Sequence, residues 1–242
     1  MFKIIYADDY EQMSSEAYKI MAETLKKEDA VIGLATGSTP VGLYKKMIAG
    51  NKNGDVSFKN VVSFNLDEYV GIPRSHEQSY YTFMHENLFD HIDIKEENVH
   101  VPLGESDDHQ KACEDYEKAM SDYVVDLQVL GIGSDGHIGF NEPGTAFDSL
   151  THVVELEEIT RQDNARFFDG DITQVPTHAI TMGLGTIMRS KKIIMVANGE
   201  NKADAIYAMI KKDKSEDCPA SVLQDHPDVT VILDPGAAAK VK

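Results

Sequence analysis

Short apolar runs alternate with amphipathic stretches along nearly the whole chain. Lys3 to Tyr6, Val31 to Ala35, Val61 to Leu66, Asn98 to Val101, Leu127 to Ile132, His152 to Leu156, Lys192 to Ala197 and Val229 to Leu233 read as strands. Between them, Asp9 to Lys27 places Met13, Ala17, Ile20, Met21 and Leu25 close to a helical period. Further helices are expected from Pro40 to about Ile48, Tyr80 to Phe89, Asp107 to Tyr123, Thr160 to Phe168 and Glu200 to Lys211. Thr39 is the expected N-cap of the second helix, with Pro40 in its first turn, where a missing N–H costs nothing. Strands separated by helices and short loops imply βαβ units. The expectation is an α/β fold: a single doubly wound, mainly parallel sheet with helices on both faces, in the manner of a modified Rossmann fold. No repeat, low-complexity tract or Pro/Ser-rich linker divides the chain, so residues 1–242 read as one domain.

Composition narrows the function. Lys and Arg total 23 against 41 Asp and Glu, a net charge of −18, which repels nucleic acid and anionic membrane. Any phosphate must then be held by backbone amides and a few placed cations. Cys113 and Cys218 form no CxxC pair, which argues against a disulfide framework and fits a reducing compartment. The N-terminal Met1 to Tyr6 turns acidic at Asp8 and Asp9 before a signal-peptide length is reached. No stretch approaches the roughly 18 apolar residues of a membrane span. A soluble, cytoplasmic protein is expected.

In such sheets ligands bind beyond the carboxyl ends of the strands, so chemistry is sought in the loops that follow them. Thr36-Gly37-Ser38-Thr39-Pro40 joins a strand to a helix start and could cradle an anion with free amides and two hydroxyls. Read alone it is equally an ordinary capped turn, and it lacks the lysine of a Walker A loop. Asp67 and Glu68 end another apolar strand; on an extended chain their side chains point to opposite sides, so only one should face a cleft. The segment from Gly131 to Pro143 packs Asp135, His137, Glu142 and four glycines into thirteen residues after the most apolar strand. A histidine flanked by carboxylates can move protons near neutral pH. The same loop contains GxGxxG (Gly131, Gly133, Gly136), with Glu155 and Glu157 about twenty residues on, but no helix follows the third glycine, which disfavours a dinucleotide site. Arg166 and Lys202 complete the set as cations that could meet an anion. Metal signatures such as HExxH are absent.

Three strings carry a resemblance: Ala35-Thr36-Gly37-Ser38-Thr39-Pro40, Phe64-Asn65-Leu66-Asp67-Glu68-Tyr69-Val70-Gly71 and Asp135-Gly136-His137-Ile138-Gly139-Phe140-Asn141-Glu142-Pro143. With Thr160 to Phe168 and Asn198 to Lys202, the chain resembles the glucosamine-6-phosphate deaminases over nearly its full length. The resemblance implies that glucosamine 6-phosphate is the small-molecule substrate and that fructose 6-phosphate and ammonia are the products. It implies Asp67 as the base at C2, and a carboxylate with its ordinary pKa near 4 is ionised and ready at neutral pH. It implies His137 as the ring-opening group, with Asp135 and Glu142 as its carboxylate partners. Thr36, Gly37, Ser38, Thr39, Arg166 and Lys202 would hold the substrate and its phosphate. No metal or organic cofactor is implied, and residues 156–176 correspond to a lid.

One departure bears on regulation. Larger family members are hexamers activated by an N-acetylated sugar phosphate, bound partly by basic residues soon after the Glu-Pro pair. Here Gly144 to Val154 contains no Lys or Arg, and the chain ends soon after Leu233. A non-allosteric form, monomeric or in a small homo-oligomer, is expected. A 6-phosphogluconolactonase-type hydrolase or a galactosamine-6-phosphate isomerase is the nearest competing reading; a sugar-phosphate sensor would bring a basic helix-turn-helix, which this acidic chain lacks.

Overall fold

A computed structural model describes residues 2–242. Its strands are β1 (Lys3–Tyr6), β2 (Val31–Leu34), β3 (Val62–Asn65), β4 (Asp67–Tyr69), β5 (Val99–His100), β6 (Leu127–Leu130), β7 (His152–Glu155), β8 (His178–Thr181), β9 (Ile193–Ala197) and β10 (Val229–Leu233). Its α-helices are α1 (Tyr10–Thr24), α2 (Val41–Asn53), α3 (Tyr80–Asn87), α4 (His109–Met120), α5 (Glu158–Ala165), α6 (Leu184–Ile187) and α7 (Ala203–Lys211). Seven strands form one wholly parallel sheet in the order β1-β10-β9-β6-β2-β3-β5.

The inner strands β2, β3, β6, β9 and β10 are buried at every position because both faces of a parallel sheet are covered. Period-two geometry then sorts each strand between two cores. Val31, Phe64, Leu130, Met195 and Val231 pack on one face with Tyr116 of α4 and Ile206 and Met209 of α7. Ile32, Leu34, Val129, Ile194 and Ile232 pack on the other with Met13, Ala17 and Met21 of α1 and Leu43, Tyr44 and Met47 of α2. Helix starts are fixed by side-chain caps: Asp9 accepts from the Gln12 N–H at 2.7 Å, Ser79 from Thr82 at 3.0 Å and Asp108 from Lys111 at 2.9 Å. Helix α2 differs from the expectation. Pro40, with helical φ and ψ of −78° and −8°, occupies its N-cap position without a side-chain bond, and the Thr39 hydroxyl is engaged elsewhere.

The expected single sheet is joined by a second, antiparallel sheet, β4-β8-β7. Leu66 is the pivot. Its N–H donates to Leu34 O in the large sheet at 3.1 Å, while its carbonyl accepts from the Met182 N–H at 2.6 Å beside the small one. The run that reads as one strand therefore changes sheets after Asn65. Glu68 fixes the next turn: buried, it accepts from the backbone N–H groups of Tyr69, Tyr80 and Tyr81 at 2.8–2.9 Å, tying β4 to the start of α3. Strand β8 follows a polar, loop-rich segment and has no long apolar run, which is why its pattern is silent. No helix among the described residues is long and apolar enough to cross a membrane.

In the large sheet the chain steps from β2 through β3 to β5 on one side, then returns to β6 on the other side of β2. The β2 and β6 loops thus flank the point where strand order reverses, the place where such sheets open a crevice.

Candidate active site

A cavity of about 530 Å³ opens at this switch point. Its volume suits a small ligand. Thr36, Gly37, Ser38, Thr39, Asp67, His137, Arg166 and Lys202 all line it. Asp135 and Glu142 stand behind the imidazole and do not line the cavity themselves.

The wall after β2 is held by a web of short bonds. The Tyr10 hydroxyl donates toward Ser38 O and Thr39 O at 3.0 and 3.1 Å and accepts from the Gly42 N–H at 2.8 Å. Gly37 adopts φ +95°, a left-handed conformation that glycine takes without strain. The Thr39 hydroxyl donates to Asn198 Oδ1 at 2.7 Å, joining this loop to the one after β9. There the Gly199 N–H donates to the Asp234 carboxylate at 3.0 Å, which sets the short 3₁₀ turn ending in Lys202. Burial holds the Lys202 amine below its ordinary proton affinity; Asp163 and Asp135 oppose this and Arg166 adds to it. A cation desolvated beside another cation is poised to receive an anion.

The β6 loop is pinned at both ends. The Gly133 N–H donates to His137 O at 2.9 Å, and a side chain on Gly133 would collide with the His137 ring. Asn141 donates from Nδ2 to Ile138 O and Met182 O, both at 2.8 Å, and the Phe140 N–H donates to the Thr181 hydroxyl at 3.0 Å. The loop is thereby attached to β8, the strand that pairs with β4, so Asp67 and His137 belong to one rigid wall. No helix follows Gly136, in keeping with the reading against a dinucleotide fingerprint.

Charge is divided unequally across this wall. His137 Nδ1 lies 2.7 Å from Asp135 Oδ1 and 3.4 Å from Glu142 Oε2, as an ionic contact rather than an aligned hydrogen bond. Burial disfavours the imidazolium, but the two carboxylates outweigh it and raise the histidine to about 9. Burial likewise pushes Asp135 up, and His137 more than offsets it, leaving Asp135 at about 2. Asp67 moves the opposite way. Burial first, then the neighbouring Glu68 charge, raise it to about 8, with His137 acting against them. Its Oδ1 is buried without a hydrogen-bond partner. This corrects the expectation of an ordinary carboxylate: in the free protein Asp67 holds its proton at neutral pH. The two adjacent acids have separated as an extended chain requires, Asp67 into the cavity and Glu68 onto backbone amides.

Asp135, His137 and Glu142 bring three potential metal-ligand atoms within 4.8 Å of one another. Both carboxylates face the same ring nitrogen, however, so an ion lodged among them would displace the contacts that charge the imidazole. Sequence reasoning assigned no role to Asn198, Thr160 or Asp163, yet all three are part of the cavity wall. Their polar, unremarkable residue types carry no signal until the loops meet.

Ionising a buried, partnerless carboxyl costs stability. A raised folded pKa means that this cost is absent below the unfolded value near 4 and grows as pH rises towards 8. Asp67→Asn is therefore expected to stabilise the fold by up to about 5 kcal/mol at pH 8, on the order of 10 °C in Tm, and by little at pH 4. Melting curves at the two pH values check this; equal shifts at both would contradict it.

The sequence profile described as glucosamine-6-phosphate isomerases/6-phosphogluconolactonase matches residues 9–232. A glucosamine-6-phosphate deaminase of Clostridium novyi is 49% identical over 241 residues, covering 99% of this chain and 100% of its own. Glucosamine-6-phosphate deaminase 2 of Bacillus subtilis is 50% identical over 243 residues, covering 99% and 98%. Among solved structures, one described as a monomeric glucosamine-6-phosphate deaminase superposes with a TM-score of 0.96 at 45% identity, over 99% of this chain and 100% of its own. A 6-phosphogluconolactonase from Trypanosoma brucei shares the fold with a TM-score of 0.82 at 20% identity, over 100% and 99%. The chain belongs to the family of glucosamine-6-phosphate isomerases and 6-phosphogluconolactonases.

Proposed function

We propose that the protein is a glucosamine-6-phosphate deaminase that converts glucosamine 6-phosphate and water to fructose 6-phosphate and ammonia. The observation that carries this reading is one cavity walled by Asp67, His137, Arg166 and Lys202 together. In the proposed mechanism Ser38, Thr39, Arg166 and Lys202 grip the phosphate, with Thr36 and Gly37 shaping the loop, and so fix the sugar's position. His137, a cation below about 9, gives a proton to the ring oxygen and its imidazole takes the proton that the anomeric hydroxyl releases, so the pyranose opens. Asp67 then moves the C2 proton to C1 through an enolamine. Water adds to the resulting C2 imine and ammonia leaves, which balances the reaction as a hydrolysis.

The high proton affinity of Asp67 suits a base that attacks a C–H bond, because a stronger base leaves a smaller uphill transfer. Ionisation is favoured once substrate binds, since the C2 amine brings a positive charge beside the carboxyl. Asp135 and Glu142 orient the imidazole and sustain its charge. This scheme uses no metal or organic cofactor. Ammonia release from glucosamine 6-phosphate is the test. Wild type should be active in the presence of a chelator, with Asp67→Asn and His137→Gln each losing at least about 100-fold at unchanged fold. The pH profile of kcat/KM should be a narrow bell, rising as Asp67 deprotonates near 8 and falling as His137 deprotonates near 9. A wild type that releases no ammonia overturns the reading.

Residues 156–176, with α5 and Arg166, are proposed to act as a lid over one single-domain unit. Limited proteolysis at Arg161 and Arg166 should be slowed by fructose 6-phosphate; equal cleavage with and without it would count against closure. The stretch Gly144 to Val154 offers no Lys or Arg to a second phosphate. The protein is accordingly proposed to work as a monomer or small homo-oligomer without activation. Saturation curves should keep their shape when N-acetylglucosamine 6-phosphate is added, and a loss of sigmoidicity would refute this.

A further inference from the structure

Thr160 stands in the first turn of α5, buried to 4% exposure, and lines the cavity. A threonine in a helix commonly turns its hydroxyl back to the carbonyl one turn earlier. This one leaves its own helix and donates to Glu142 Oε1 at 2.7 Å. The other carboxylate oxygen, Oε2, is buried without a hydrogen-bond partner and faces His137 Nδ1 at 3.4 Å. The Glu142 backbone is fixed separately, its carbonyl accepting from the Thr145 hydroxyl at 2.6 Å. Only the side chain's orientation is therefore left to Thr160. Six residues on, about 9 Å along the helix axis, the same helix ends at Arg166.

We propose that Thr160 is a positioning residue for proton transfer: its hydroxyl aims the Glu142 carboxylate at His137 and so ties the seating of the Arg166-bearing helix to the imidazole. The proposal rests on the deaminase reading for its catalytic consequence, though not for the link itself. Arg166 meets one end of the substrate and His137 acts at the other. Displacement of α5 carries the hydroxyl away from Glu142 and leaves a buried carboxylate oxygen without its donor, a costly state that disfavours the charged form. The support for the imidazolium then weakens. The charged groups facing His137 are Asp135 and Glu142 on its own loop and Asp67 on β4; Lys202 and Cys218 lie within electrostatic reach of Asp135.

The test combines steady-state kinetics with an NMR titration of the His137 ring in the substrate-free protein. Thr160→Val, similar in shape but without the donor, should lower kcat about tenfold and leave KM within about twofold. It should also move the His137 midpoint down by at least about half a pH unit. Thr160→Ser, which keeps the donor, should restore both. Glu142→Gln should shift the midpoint in the same direction, and adding Thr160→Val to it should shift it no further. An unmoved midpoint in Thr160→Val, or an equal further shift in the Glu142→Gln background, overturns the proposal. Should Thr160→Val fail to fold, Thr160→Ala is read in the same way, and an unmoved midpoint in Glu142→Gln overturns the link outright. The titration needs no substrate, so it remains decisive even if wild type releases no ammonia.

Discussion

A carboxyl group buried without a partner, opposite a half-buried imidazole that meets two carboxylates at one ring nitrogen, is the constraint around which this protein is arranged. Each alone is unfavourable, because desolvation penalises whichever form is charged. Asp67 answers by retaining its proton, while the two carboxylates beside His137 make it gain one, so a neutral acid and a cation stand in a single wall. Holding them so requires backbone that cannot relax. The chain supplies it by leaving the large sheet at Leu66, entering the small sheet at Asp67 and clamping the His137 loop to that sheet through Thr181 and Asn141. The small sheet, which contributes little to the two main cores, positions the chemistry.

Much of this was legible in the residues, for physical reasons that differ between elements. Strands β2, β6, β9 and β10 are covered on both faces, so they are apolar runs interrupted only at Gln128 and Thr230 and are hard to misread. The loops after β2 and β6 reveal themselves through glycine, whose freedom at Gly37 and Gly136 has no substitute among common residues. Four features were hidden. The change of sheet at Leu66 leaves no mark in a run that stays apolar, and β8 is four residues whose partners lie far along the chain. The Thr39 hydroxyl reads as a local cap but is captured by Asn198, 159 positions away, a competition between local and tertiary bonds that periodicity cannot register. The proton affinity of Asp67 was also out of reach, because it depends on burial and on Glu68 being held by the start of α3.

The fold by itself does not choose the reaction. A lactonase at 20% identity has the same architecture, so function must be read from the groups at the strand tips. Lactone hydrolysis needs water delivered to a carbonyl, whereas deamination with isomerisation needs a base at carbon and a separate acid at the ring oxygen. The wall offers a carboxyl and an imidazole, both with raised proton affinity, to which the proposed mechanism assigns these two roles.

The net charge of −18 sets the last constraint. A phosphorylated sugar approaching this surface is repelled almost everywhere, and the cavity itself contains Asp67 and Asp163. Attraction must therefore be local, and it is concentrated in Arg166 and Lys202, which come from segments far apart in sequence. Burial depresses the proton affinity of Lys202, and in the proposed mechanism a phosphate dianion between it and Arg166 would relieve that strain. Because Arg166 ends the helix that begins near Thr160, binding energy at the phosphate would, in the proposed mechanism, reinforce the seating of that helix against Glu142. An acidic protein can in this way bind an anionic substrate weakly at a distance and tightly at one point, and direct that binding energy toward the atoms that transfer protons.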